Sequence, residues 1–224
     1  MPKFLLSCRQ VGAGMTLFTM KLTSESKFFL SIILGTLAII GIAVILLSKP
    51  PKPIAKDQLI LPTTYTMGNK DAKVWLVEFS DFQCPACHAF AHTVNELAAT
   101  HKDNLFIAYR HFPLPQHAFA TKAGIAAEAA GKQEKFWEMG DLLFDNQNTL
   151  SDSLVASLAA SLSLNAEQFS GDLKDFTLKT RVETDQAYGE QLRLTATPTF
   201  FLNGVKLDVG RPEDLKAKVE EALQ

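Results

Sequence analysis

Two of the chain's three cysteines stand three positions apart, as Cys84-Pro85-Ala86-Cys87. Two intervening residues let the sulfurs close a small ring, so a disulfide between them can open and re-form without large backbone motion. The two thiols become unequal if a helix starts between them. Pro85 suits the first helical position, where its missing N–H costs nothing, and Cys87, Ala91, Val94 and Ala98 follow at helical spacing on one face. Cys84 then sits at the helix N-terminus, where free backbone N–H groups and the helix dipole stabilise a thiolate. Its pKa should fall well below the free value of about 8.5, which makes it the nucleophile at neutral pH. Cys87, one turn further along the buried stripe, should be the shielded, resolving thiol. A stabilised thiolate favours the dithiol form and so makes the disulfide form an oxidant.

Two other chemistries fit the same residues. A CxxC can be half a zinc site, with His88 and His92 at i, i+4 adding ligands, but there is no second CxxC and Cys8 is remote in the chain. Cys84-Pro85-Ala86-Cys87-His88 also satisfies the C-x-x-C-H of covalent haem attachment. Against both stand the flanking elements, and no metal or cofactor is expected. Val74-Trp75-Leu76-Val77-Glu78-Phe79 is a nearly continuous apolar run of β-formers, suited to a strand buried on both faces. It turns through Ser80-Asp81-Phe82-Gln83 straight into the motif, and Leu105–Tyr109 reads as a second buried strand. A strand, helix and strand at this separation make a βαβ unit with parallel strands.

From about 116 to 190 the pattern is helical, with candidates at Ala118–Ala130, Lys135–Phe144, Ser151–Leu162 and Asp172–Tyr188. Thr199–Leu202, Asn203-Gly204 and Val205–Leu207 then form a hairpin signature with the residues of a type I′ turn, and Pro212 opens a terminal helix to Leu223. The expected fold is α/β: the thioredoxin plan with a helical subdomain inserted in its middle.

With these elements in place, residues 57–224 resemble the DsbA-like thiol:disulfide oxidoreductases of the thioredoxin superfamily. The segments that carry the resemblance are Val77–Cys87, Tyr109-Arg110-His111-Phe112-Pro113-Leu114, the helical insert, and Thr195-Ala196-Thr197-Pro198-Thr199-Phe200. The resemblance implies a cis Thr197–Pro198 bond facing the disulfide, where a substrate's extended chain pairs beside Cys84; sequence alone favours trans. It also places Glu78, six residues before Cys84, as a buried carboxylate beneath the disulfide. A charge inside an apolar strand is costly without a role or partner, so a proton acceptor for Cys87 is favoured over a strand-end surface acid. His88 is a candidate for tuning the thiolate electrostatically. Arg110, His111 and His117 match the family pattern and are assigned to packing. The dipeptide Pro85-Ala86 departs from the Pro-His of the best-known members, whose oxidising power comes partly from that histidine.

The resemblance implies a protein disulfide oxidase whose catalytic residues are Cys84, Cys87, Glu78, Thr197 and Pro198. It would introduce disulfides into unfolded or exported proteins with free thiols and be reoxidised by a DsbB-like membrane partner. A reductase or isomerase using the same thiols is the nearest rival, and a non-catalytic chaperone or binding module on the same fold is the other. The net charge of -2 splits unevenly, +3 over residues 1–48 and -5 beyond. The body therefore lacks the basic excess that a phosphate backbone selects, and no nucleic-acid partner is expected.

Residues 28–47, FFLSIILGTLAIIGIAVILL, carry no charge, and twenty helical residues span about 30 Å, a bilayer's hydrocarbon core. The expected layout is a cytoplasmic segment 1–27, an uncleaved transmembrane signal anchor 28–47, a Pro/Lys linker 48–56 and the domain 57–224. That makes a single-pass protein of the plasma (inner) membrane with an extracytoplasmic catalytic domain. Met20 is an alternative start.

Overall fold

The computed structural model describes residues 24–47 and 52–224, and the chain divides into two units, residues 1–50 and 51–224. The expectations for residues 1–23, including the Met20 start and Cys8, and for linker residues 48–51 lie outside the described residues. In the first unit, helix α1 covers Ser24–Leu47. Among the described residues no helix is long and apolar enough to cross a membrane. This corrects the expectation of a single-pass anchor over 28–47 in the plasma (inner) membrane with an extracytoplasmic domain.

The second unit is built on a mixed five-stranded sheet in the order β1-β3-β2-β4-β5. Strand β2, Val74–Ser80, is buried along nearly its whole length and is followed by α3, Pro85–Thr100, and β3, Leu105–His111. β2 and β3 pair in parallel with Glu78 opposite Tyr109, as the βαβ reading requires. β4, Thr199–Leu202, lies antiparallel on the other side of β2 with Phe200 opposite Glu78. A turn at Asn203-Gly204 leads to β5, Val205–Lys206. Both turn residues take positive φ, 49° and 82°, the type I′ geometry. Ile54 N donates to Gly204 O at 2.9 Å, so the end of the expected spacer packs against the domain at this turn. Ahead of β2 in the chain, α2, Lys56–Leu59, leads to β1, Tyr65–Gly68, which joins the edge of β3 antiparallel.

The insert contains α4, Ala120–Gly131, α5, Phe136–Asp145, α6, Asp152–Ser161, α7, Ala166–Asp172, and α8, Phe176–Gln191. The terminal helix α9 is Pro212–Ala222. One sheet face packs α3 and α9 through Leu76, Leu97, Ile107, Phe200 and Leu215. A second cluster gathers Leu59, Val77, Phe79, Phe112 and Phe201. The insert's core contains Phe136, Met139, Leu143 and Phe144 together with Phe82, Cys84 and Cys87. The insert is thus continuous with the cysteine motif, and burying a side chain such as Phe82 there contributes about 1.5–3 kcal/mol.

Candidate active site

The apolar run of β2 ends at Ser80, and Asp81 makes the turn. Its Oδ1 accepts from Gln83 N at 2.7 Å and its carbonyl accepts from Cys84 N at 3.0 Å, the local Asx geometry that competes with continued strand. Cys84 is the N-cap of α3 in extended backbone, and Pro85 is in the first turn. The Gln83 side chain accepts from Phe119 N at 2.7 Å, tying this turn to the start of the insert.

The two sulfurs differ as expected. Cys87 has 0% exposure, Cys84 has 6%, and both are free thiols. The Cys84 thiol donates to Thr197 O at 3.6 Å, and the Thr197–Pro198 bond is cis. The Cys84 pKa falls from an ordinary 9.0 to about 5. The largest cause is the neighbouring Cys87 thiol, poised to donate to a Cys84 thiolate. Burial opposes the shift, and the Thr197 hydroxyl and the backbone N–H groups of Cys87 and Ala86 add to it. The helix N-terminus therefore helps, but the partner thiol leads. Burial pushes Cys87 well up, reinforced by Cys84 and Glu78, while Asp81 N donates to Cys87 Sγ at 3.4 Å.

Glu78 lies beneath, 4% exposed, and burial raises its pKa from 4.5 to about 7. The nearby Ser80 hydroxyl offsets this in part but stands outside hydrogen-bonding geometry: Ser80 Oγ and Glu78 Oε1 both lack a partner among the described residues. Cys84, Cys87, Thr197 and Pro198 thus meet at the start of α3, and Glu78 reaches Cys87 electrostatically.

Four further residues take part at the site in ways that escape a reading of the sequence. Gln147 Nε2 donates to Cys84 O at 3.3 Å, bringing the end of α5 onto the motif; nothing in its sequence context signals this. Asp81 holds Leu114 N at 2.8 Å and His117 Nδ1 at 2.7 Å, so His117 braces the loop behind Cys87. The one legible signal is an Asp two residues before an amide it could accept. Tyr109 is buried beside Glu78 in the sheet, and its hydroxyl has no partner among the described residues. His88 instead pairs with Asp145 at 3.3 Å and stacks on Phe144. Among the described residues no three His, Cys, Asp or Glu side chains are gathered to hold a metal ion. Arg110 is a buried ion-pair partner of Asp185, and His111 Nε2 lies 3.2 Å from Glu128 Oε1.

The family model described as Thioredoxin matches residues 61–221. The chain belongs to the thioredoxin family. Solved structures with this fold include the thiol-disulfide exchange protein alpha-DsbA2 from Wolbachia pipientis, at 21% identity and a TM-score of 0.67 over 75% of this chain and 91% of that one. BdbD from Bacillus subtilis gives 22% identity and a TM-score of 0.64 over 77% and 99%. These likenesses establish a thioredoxin-like fold with a helical insertion. A curated relative, Na(+)/H(+) antiporter NhaA 1 from Mycolicibacterium vanbaalenii, is 38% identical over 165 residues, covering 70% of this chain and 27% of that protein. The chain spans about a quarter of the length of the curated relatives it matches.

Proposed function

We propose that this thioredoxin-family protein is a thiol:disulfide oxidoreductase that acts as an oxidase of protein thiols. The observation that carries the reading is the opposite displacement of two adjacent thiols, Cys84 down to about 5 and Cys87 well up. A substrate thiolate attacks Cys84 Sγ of the Cys84–Cys87 disulfide, and Cys87 departs and takes a proton from the Glu78 carboxyl. A second substrate thiolate then attacks the substrate sulfur of the mixed disulfide and expels Cys84 as a stable thiolate. Two electrons pass to the protein, and the substrate keeps the new disulfide. Thr197 and Pro198 form the surface beside Cys84 against which the substrate chain lies. The name of the Wolbachia structure, a thiol-disulfide exchange protein, supports this class of chemistry. A DsbB-like partner is the proposed reoxidant.

The low Cys84 pKa favours oxidase over reductase, because stabilising the departing thiolate stabilises the reduced enzyme. The test mixes the oxidised protein stoichiometrically with a reduced protein substrate and measures the equilibrium potential against glutathione. Transfer of one disulfide per molecule, abolished by Cys84→Ser, is the expected result. A potential near thioredoxin's, about -270 mV, would instead assign the reductase direction.

A further inference from the structure

Ser80 ends β2 two residues beyond Glu78, so the two side chains leave the strand on the same face of the sheet. Ser80 is 1% exposed, and its hydroxyl has no hydrogen-bond partner among the described residues. A buried hydroxyl without a partner is costly. Cys87 lies beside it: the N–H of the peptide that joins Ser80 to Asp81 donates to Cys87 Sγ at 3.4 Å. A neutral thiol is a weak acceptor and a thiolate a much stronger one. The hydroxyl therefore idles while Cys87 is protonated and gains a partner when that sulfur is charged.

The Ser80–Asp81 peptide is fixed from both sides. Ser80 pairs with His111 on β3, and its carbonyl accepts from Phe112 N at 2.8 Å. The Asp81 carbonyl accepts from Cys84 N at 3.0 Å, and the Asp81 carboxylate is held by Gln83 N, Leu114 N and His117. We propose that the Ser80 hydroxyl turns onto Cys87 Sγ and, together with the Asp81 N–H, binds the negative charge that develops there when Cys87 is expelled. Asp81 and His117 act through that N–H and are positioning residues.

The proposal rests on the exchange reaction proposed above and adds a group to it. The substrate sulfur bonds to Cys84 Sγ, the Cys84–Cys87 bond breaks, and its electron pair passes to Cys87 Sγ. That sulfur has no solvent exposure, so its stabilisation has to come from fixed donors. When Glu78 has given its proton to Cys87, the charge resides on the Glu78 carboxylate, and the same hydroxyl follows it. Ser80 holds down the pKa of both Cys87 and Glu78 against the burial that raises them. Tyr109, the third group on this face without a partner, is kept protonated by burial and offers the hydroxyl no competing charge.

Two measurements on Ser80→Ala test the donor. Reduction of the oxidised protein by glutathione, followed by stopped flow, should slow about tenfold. That is less than the roughly 100–1,000-fold lost with a donor to an oxyanion, because sulfur is the weaker acceptor. Since the hydroxyl idles in the dithiol, the reduced variant should unfold at the same or a higher urea concentration than the unmodified protein. Slow exchange accompanied by easier unfolding would mean that Ser80 serves packing, and the proposal falls. The second measurement needs no exchange. In Cys84→Ser, alkylation of Cys87 at about pH 9, with the modified residue identified by peptide mapping, should fall about tenfold when Ser80→Ala is added, one unit of Cys87 pKa. An unchanged rate there overturns the proposal. Full-speed exchange in Ser80→Ala also overturns it, and if Glu78→Gln slows exchange in the same assay the proposed function stands without this donor. If the unmodified protein exchanges no disulfides, the proposed function falls and Cys87 alkylation alone decides the donor.

Discussion

Replacing Glu78 by Gln should stabilise the oxidised protein, and only above a defined pH. The side chains are nearly isosteric, so the apolar packing of Leu76, Phe79 and Phe200 around this strand position is kept. Burial raises the Glu78 carboxyl from 4.5 to about 7. Such an acid favours folding only in its protonated form: its contribution is fully present below the unfolded pKa and is lost as pH rises through the folded one. A separation of about 2.5 pH units at roughly 1.4 kcal/mol each gives a penalty of about 3 kcal/mol at pH 8, absent at pH 4. The buried amide of the variant brings its own desolvation cost, but that is the same at every pH and cancels in the difference. Urea unfolding of both oxidised proteins from pH 4 to pH 8 reads the quantity directly. The advantage of the Glu78→Gln variant should grow across this window and level off above about 7. A stability difference flat with pH would mean that Glu78 is ionised or solvated like a surface carboxylate, and the proton role proposed for it would fall.

Reduced and oxidised forms should diverge in stability with pH in the opposite sense. The depressed Cys84 pKa stabilises the reduced fold above it, so the reduced form should gain on the oxidised form by roughly 1.4 kcal/mol per pH unit from about 5 to about 9, measured by urea unfolding of each. Thr197→Val removes a hydroxyl that helps hold the Cys84 pKa down, so that pKa should rise, read from ultraviolet thiolate absorbance. Asp185→Ala strands the buried Arg110 guanidinium, whose Nε bonds Asp185 at 2.6 Å. It should cost about 3–5 kcal/mol in urea unfolding, much of it recovered when Arg110→Met is added.

The motif, the strand feeding it and the hairpin are legible in the sequence because each rests on a local rule: a buried β run, Pro in the first helical turn, Asn-Gly at positive φ. Four insert helices are legible from apolar spacing within a few residues of their observed ends. β1 is not, because Tyr65–Gly68 is short and only half-buried. What defines it is pairing with β3 and Gly68 at φ 80°, where a Cβ would strike Leu105 O. α7 is hidden because Asn165 and Gly171 look like breakers, yet Asn165 caps the helix by accepting from Gln168 N at 2.9 Å. Glu78 stands out as a charge in an apolar strand, whereas its partnerless state beside Tyr109 depends on strand register. Gln147 and His117 reach the site only through tertiary folding, and no spacing rule points to them. The apolar run at 28–47 suggests an anchor, yet among the described residues no helix is long and apolar enough to cross a membrane.

The inequality of the two thiols is tested most directly by the rates at which Cys84 and Cys87 of the reduced protein are alkylated as a function of pH, with the modified residue identified by peptide mapping. Cys84 should react first, with a rate that rises through a midpoint near 5, while Cys87 stays unreactive through neutral pH. Equal rates at the two positions, or a Cys84 midpoint near the ordinary thiol value of about 8.5, would contradict it.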